Sequence, residues 1–464
     1  MIVLNPSDRT PLYQQLYQNI RRQIESGELS PGEKLPSKRQ LADRLKISQN
    51  TIAAAYAQLT DEGYIISKPR SGFYVAAMMD MFDSAPLPGA LPAQPTKAHP
   101  EWHYDFKTNT VDGRIFPFPT WARISREVLA SGDRELLESV EPQGYYPLRH
   151  AIADYVRQYR GVRCTPEQIV IGAGSEYLIG LVVQLLGRNL SYAVENPNYN
   201  KIYRVLKSNG ASVQLIPLDY QGVDLDVLAS TDTQILHLTP SHHFPLGIVM
   251  PVGRRLSLLK WAAEAPNRYL LEDDYDSEYR FTGKPVPALQ GLDRDGRVIY
   301  FNTFTRSLSP SMRISYMILP PELLSRYQST LSFYSSTVPR FDQHTLHQFI
   351  AGGYYERHLN RTLRLYRSRR NAMINCIKHL PIADRITIGG EKAGLHLLLH
   401  LDPSLSAEEL TANAAKVGIR VYNLSEYYIG DKTPLPDNTL IMGYSSYNEE
   451  EIQAAFKLLA AAWQ

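Results

Sequence analysis

Cysteine is scarce in this 464-residue chain, which has only Cys164 and Cys376. Their separation suits neither a disulfide framework nor a metal-binding spacing, so they read as buried thiols of a protein in a reducing, cytoplasmic setting. Long apolar runs are missing too. The longest, around Tyr177 to Gly187, falls well short of the roughly 18 residues that suggest a membrane span. Met1-Ile2-Val3-Leu4-Asn5-Pro6 lacks the charged, apolar and small-residue succession of a signal peptide. The formal net charge is only +2, which argues against a surface built throughout for polyanions. No repeat or low-complexity tract occurs, and the composition, 44% hydrophobic and 21% charged, is that of a globular protein. The length exceeds one ordinary core and implies two or three domains.

What charge excess there is lies at one end. Residues 1–76 hold ten Lys or Arg against seven Asp or Glu, and the remainder is close to balance. Leu12, Leu16, Ile20 and Ile24 recur at helical spacing, and Gly27 closes the pattern. Ser37-Lys38-Arg39-Gln40 has the form of a capping box opening a short second helix. Ser48-Gln49-Asn50-Thr51 opens a third, which runs through Ile52, Tyr56 and Leu59 to Gly63. Tyr64–Ser67 and Gly72–Val75 then flank Lys68-Pro69-Arg70-Ser71 as a hairpin with a basic tip.

Residues 77–100 contain Pro86, Pro88, Pro92, Pro95 and Pro100 with little hydrophobic periodicity, the pattern of a semi-extended linker. Beyond it, β-rich runs at 168–171, 192–195, 213–216, 234–238, 269–271, 298–301 and 314–319 alternate with helical stretches. That alternation predicts a mainly parallel sheet with flanking helices. A long polar helical stretch over 340–380 leads into a smaller α+β tail.

The N-terminal motifs, from Pro31-Gly32-Glu33-Lys34-Leu35-Pro36-Ser37 through Ile47-Ser48-Gln49-Asn50-Thr51-Ile52 to the hairpin, closely resemble the winged helix of the GntR regulator family. The resemblance implies that the third helix enters the major groove of a double-stranded operator with Ser48, Gln49, Asn50 and Thr51 at its leading end. Lys38, Arg39, Lys68 and Arg70 would neutralise phosphates, and Gly72 would let the wing approach closely. Gln49 stands where many GntR modules carry arginine, a departure that puts in doubt whether the bases read here are theirs.

In the body, Glu272-Asp273-Asp274-Tyr275 follows a strand, and Arg306, within Thr303-Phe304-Thr305-Arg306-Ser307, lies 33 positions beyond Asp273. Gly172-Ala173-Gly174-Ser175-Glu176 sits between a strand and a helix, where free amides suit a phosphate. With Pro240-Ser241-His242-His243-Phe244-Pro245-Leu246-Gly247 and Arg313-Ile314-Ser315-Tyr316-Met317, these segments resemble a fold-type I aminotransferase. From end to end the chain resembles the MocR/GabR subfamily of GntR-type regulators. The implied fold is α/β: a winged helix at 1–76, the linker at 77–100, an aminotransferase-like large domain at 101–380 and a small α+β subdomain at 381–464.

The implied cofactor is pyridoxal 5'-phosphate, with Asp273 at its pyridine nitrogen, Tyr275 at its phenolic oxygen and Tyr199 stacked on its ring. Gly174, Ser175, Thr303, Thr305 and Arg313 complete the implied binding set. Arg306, however, occupies the position of the Schiff-base lysine. A guanidinium stays protonated to beyond pH ~12 and offers donors but no nucleophilic lone pair. Asn302, Thr305, Lys201 and Ser446 are further departures, Ser446 standing where the GABA-responsive relative carries its carboxylate-binding arginine. Covalent attachment and turnover are therefore not expected, and no catalytic residue is assigned. The reading is a transcriptional regulator that senses a small anionic or amino ligand, often as a head-to-tail homodimer. An active aminotransferase and a constitutive repressor with a structural body remain the alternatives. His242 and His243 are adjacent and point apart on an extended segment, a poor metal pair. Arg357, Arg361, Arg364 and Arg367 recur along one helix and read as a solvated face.

Overall fold

The computed structural model describes residues 4–6, 10–77, 101–108, 110–283, 286–430 and 438–464, so the expected linker, apart from residue 77, lies outside the described residues. The chain divides into two compact units, 1–100 and 101–464. In the first, α1 (Leu12–Glu25), α2 (Lys38–Leu45) and α3 (Gln49–Asp61) precede the antiparallel strands β1 (Ile65–Lys68) and β2 (Gly72–Val75). Leu16, Ile20 and Ile24 of α1 pack on Ile52, Tyr56 and Leu59 of α3, with Leu41, Ile65 and Val75 closing the core. The apolar spacing read from the sequence thus forms one contiguous core, and Leu12 remains partly exposed at its margin. The capping box at Ser37 and Gln40 is present in both directions.

The second unit is built on an eight-stranded sheet. Its strands are β3 (Ile169–Gly172), β4 (Ser191–Asn196), β5 (Ser212–Asp219), β6 (Gly222–Val223), β7 (Ile235–Leu238), β8 (Tyr269–Asp273), β9 (Val298–Thr303) and β10 (Ser315–Ile318). Their order is β3-β10-β9-β8-β7-β4-β5-β6. The neighbouring pairs from β9 to β5 are parallel, whereas β10 runs antiparallel to both β9 and β3. Both faces are covered: Val170, Ile299, Phe301 and Met317 join one core, and Ile171, Tyr300, Tyr316 and Ile318 join the opposite one. Such double burial is why these strands read as nearly continuous apolar runs. The apolar stretch near Tyr177 is α4 (Ser175–Leu186), a helix packed into the first of those cores.

A four-stranded antiparallel sheet follows, built from β11 (Ile386–Gly389), β12 (His396–Leu401), β13 (Tyr422–Asn423) and β14 (Thr439–Gly443) in the order β11-β12-β14-β13. Its core draws in Phe106, Tyr279, Tyr366 and Met373, so residues from well before position 381 complete it. The helical stretch expected over 340–380 is two helices, Arg340–Ala351 and Tyr354–Lys378. Gly352 and Gly353 break it, Gly353 holding a left-handed φ of +68° that suits glycine. Arg357, Arg361, Arg364 and Arg367 are exposed on the second helix, and Arg361 donates to the Ile115 carbonyl at 2.8 Å.

Candidate ligand site and DNA-binding interface

In the N-terminal unit, backbone requirements sort the side chains expected to meet DNA. Ser48 is the N-cap of α3: its hydroxyl accepts from the Thr51 amide at 3.1 Å and lies 2.8 Å from the Thr51 hydroxyl. Both hydroxyls are thereby committed to the helix end, which leaves Gln49 and Asn50 as the exposed polar side chains of the first turn. Lys38 and Lys68 are braced on aromatic faces, 5.1 Å from the Phe73 centroid and 4.7 Å from that of Tyr74. Arg39 is exposed on α2. At the hairpin tip Arg70 and Gly72 take positive φ values of 63° and 116°. The tight turn leaves the Arg70 side chain exposed to solvent.

In the body, the expected ligand residues converge because they follow the carboxyl ends of parallel strands, where open α/β sheets place their crevices. Asp273 ends β8, and Thr303 ends β9 with Thr305 and Arg306 directly after it. Tyr199 precedes the helix α5 (Asn200–Ser208) after β4, while Gly174 and Ser175 open α4. Arg313 enters the antiparallel β10 from the same edge. A cavity of about 260 Å³ is lined by Ser175, Tyr199, Asp273, Tyr275, Thr303, Thr305, Arg306 and Arg313, every expected residue but Gly174. Gly174 lies immediately beneath, since a Cβ there would stand 2.0 Å from Arg313 Nη2.

The two adjacent aspartates separate cleanly. Asp274 turns into the core, where Arg160 grips it at 2.7 and 3.1 Å and the Tyr300 hydroxyl donates to it at 2.7 Å. Asp273 faces the cavity and stands 3.5 Å from His237 Nε2. Tyr275 has its hydroxyl 3.2 Å from His242 Nδ1, which is also 2.8 Å from Asp276. Burial, then the Asp276 charge, push the Tyr275 pKa well up, so its phenol keeps its proton as a donor. Thr303 and Thr305 hydroxyls are 2.7 Å apart, with the Ser315 hydroxyl 2.8 Å from Thr303. Tyr199 remains 41% exposed, its ring edge-on to Phe244 at 6.0 Å.

The Arg306 guanidinium carbon lies 5.7 Å from the Tyr275 ring centroid, and Nη1 donates to the Thr108 carbonyl at 3.1 Å. Lys201, the one lysine among the described residues of the cavity wall, is ion-paired with Glu176. Asn302 is buried and donates to the Tyr300 hydroxyl at 3.1 Å. Ser446 does not line the cavity, and its hydroxyl is 2.6 Å from that of Thr110.

Several cavity residues carried no assignment in the sequence. Glu176 bonds both Lys201 and Arg313; burial raises its pKa, but those two cations outweigh burial and the net shift is downward. Glu195 accepts from the Thr239 amide and hydroxyl, and burial pushes it up to about 7. Behind Glu195, 3.6 Å away and off the cavity wall, His243 is held neutral by burial, its pKa down to about 3. The available signal was a polar residue inside an otherwise apolar strand, as Glu195 is in β4 and His237 is in β7. Among the described residues no group of three or more His, Cys, Asp or Glu could hold a metal.

Residues 12–75 match the family described as bacterial regulatory proteins, gntR family, and residues 103–441 match aminotransferase class I and II. The chain belongs to the GntR-type transcriptional regulators with an aminotransferase-like body. It is 39% identical to the uncharacterized HTH-type transcriptional regulator YdeL of Bacillus subtilis, over 99% of this chain and 98% of YdeL. It is 32% identical to the probable rhizopine catabolism regulatory protein MocR of Rhizobium meliloti, over 100% of this chain and 96% of MocR. The body has the fold-type I aminotransferase architecture of LysN from Thermus thermophilus, an alpha-aminoadipate aminotransferase solved with N-(5'-phosphopyridoxyl)-L-leucine. That likeness has a TM-score of 0.65 and 25% identity and covers 77% of this chain and 91% of LysN. As a GntR-type regulator the chain acts on DNA, and no described helix is long and apolar enough to cross a membrane.

Proposed function

We propose that the aminotransferase-like body is a sensor that holds a pyridoxal-phosphate-type ligand without a covalent bond. It also joins two chains head to tail, and its ligand state sets how the winged helices meet operator DNA. The observation that carries this reading is the cavity wall itself: a ring-binding set is kept while a guanidinium stands where an amine is needed. Asp273 suits a protonated pyridine nitrogen, Tyr275 a phenolic oxygen, and Tyr199 is free enough to stack. Ser175, Thr303, Thr305 and Arg313 suit a phosphate, over a Gly174 surface that a Cβ would fill. These residues fit both ends of the ligand.

Bound to an enzyme lysine, pyridoxal phosphate serves as an electron sink for amine chemistry. Here Arg306 cannot accept or return the proton such chemistry moves. It supplies instead a fixed positive charge and donors suited to a carboxylate or a second anionic group on the ligand. Coupling to DNA requires the ligand to favour one arrangement of the paired chains over another.

The test is binding of the full chain to the DNA upstream of its own coding sequence, followed by fluorescence anisotropy with and without pyridoxal phosphate, together with an assay for keto acid formed from amino donors. The expected result is DNA binding that changes severalfold with the ligand and no keto acid. Sustained keto-acid production would identify a working aminotransferase, and DNA affinity indifferent to the ligand would leave the body a purely structural one.

A further inference from the structure

The end of the cavity suited to phosphate already holds an anion belonging to the chain. Glu176 lies in the first turn of α4, a helix end that favours negative charge. Its carboxylate bonds Arg313 through one oxygen and Lys201 through the other. Both cations line the cavity, and the carboxylate lies over the Gly174 backbone, where an added Cβ would meet Glu176 Oε2 at 2.6 Å and Arg313 Nη2 at 2.0 Å. Helix end, guanidinium and ammonium are the three attractions a phosphate monoester would use there, and one side chain engages all of them.

We propose that Glu176 is an internal competitor for the ligand's phosphate, so that a phosphate-bearing ligand binds by displacing Glu176 from Arg313. This rests on reading the cavity as the site of such a ligand. The consequence is a sensor with deliberately reduced affinity. A dianionic phosphate next to an unmoved carboxylate meets like-charge repulsion, and each arrival must break one charge-assisted bond to make another. The Arg313 and Lys201 side chains are 45% and 48% exposed, which gives both room to exchange partners and makes the competition sensitive to salt. A ligand lacking phosphate does not contest Glu176.

The experiment compares the full-length protein with Glu176→Gln and Glu176→Ala, titrating pyridoxal phosphate, pyridoxal and inorganic phosphate by calorimetry and thermal shift. The expected result is pyridoxal phosphate and phosphate binding about tenfold tighter in both variants, with pyridoxal unchanged and the gap narrowing as salt rises. Equal or weaker binding of the two phosphates in the variants overturns the proposal, as does the absence of any phosphate response in all three proteins. Failure of the sensor reading looks different: phosphate binds more tightly to the variants while pyridoxal phosphate shows no advantage over it. That outcome leaves the competition intact and removes the assigned ligand.

Discussion

At the scale of single residues, one partly buried carboxyl near Asp274 gives the molecule a readable pH signature. Glu278 has its Oε2 buried without a hydrogen-bond partner, and burial, then the charge of Asp274, push its pKa up to about 8. A folded pKa above the unfolded one means that the group's stability contribution is fully present below the ordinary carboxylate range. It is lost as pH rises through about 8. Glu278→Gln cannot ionise. Its gain in thermal midpoint over the parent is expected to widen from about pH 4.5 to about 8 and then level off, as measured by calorimetry across buffers. A margin that does not change with pH would show that Glu278 ionises freely in the folded protein. At this scale the sequence was partly legible. Asp273, Tyr275 and Arg306 could be placed by motif, but Glu176 could not be given its partners, because those lie 25 and 137 residues away. The motif selected Asp273 over its neighbour, but not the reason that Asp273 faces the cavity, which is that the distant Arg160 takes Asp274 into the core.

At the scale of elements, the start of α3 divides capping from reading. Ser48→Ala is expected to lower the stability of the N-terminal unit by about 1 kcal/mol, because the cap to the Thr51 amide is lost. Asn50→Ala is expected to leave the melting curve in place and to relax base preference, each lost base contact being worth about 1–3 kcal/mol. Thermal melts and anisotropy on a set of operator variants separate the two, and equal effects of both substitutions on melting would contradict the division. Arg70→Ala, at the exposed hairpin tip, should weaken binding to all sequences alike and reduce the slope of log affinity against log salt by about 1. Elements were the most legible scale. The i, i+4 spacing of Leu16, Ile20 and Ile24 and the apolar runs of β4, β7 and β8 follow from burial on one face or two. The break at Gly352-Gly353 was missed because the flanking polar residues keep a helical pattern across it, although two successive glycines, lacking the Cβ that disfavours a left-handed φ, were the available signal.

At the scale of the whole molecule, two units of different chemistry share one chain: a small basic reader of DNA and an aminotransferase-like body. Their order along the chain was legible because the hydrophobic period changes from helical repeats to alternating strands and helices. The assembly of the C-terminal core was not, since Phe106 reaches it through long-range pairing, of residues 104–105 with 419–420 and of its own carbonyl with the Gly443 amide. The central claim is that the cavity lined by Asp273, Tyr275 and Arg306 holds a pyridoxal-phosphate-type ligand without a covalent bond, because a guanidinium at position 306 offers no nucleophilic amine. The most direct measurement is titration of the full chain and of Arg306→Lys with pyridoxal phosphate, followed by absorbance, borohydride reduction and peptide mass spectrometry. The parent is expected to bind reversibly and to show no reduced adduct in the cavity, while Arg306→Lys acquires one at position 306. A borohydride-fixed adduct on a lysine of the parent's cavity, Lys201 above all, would contradict the account.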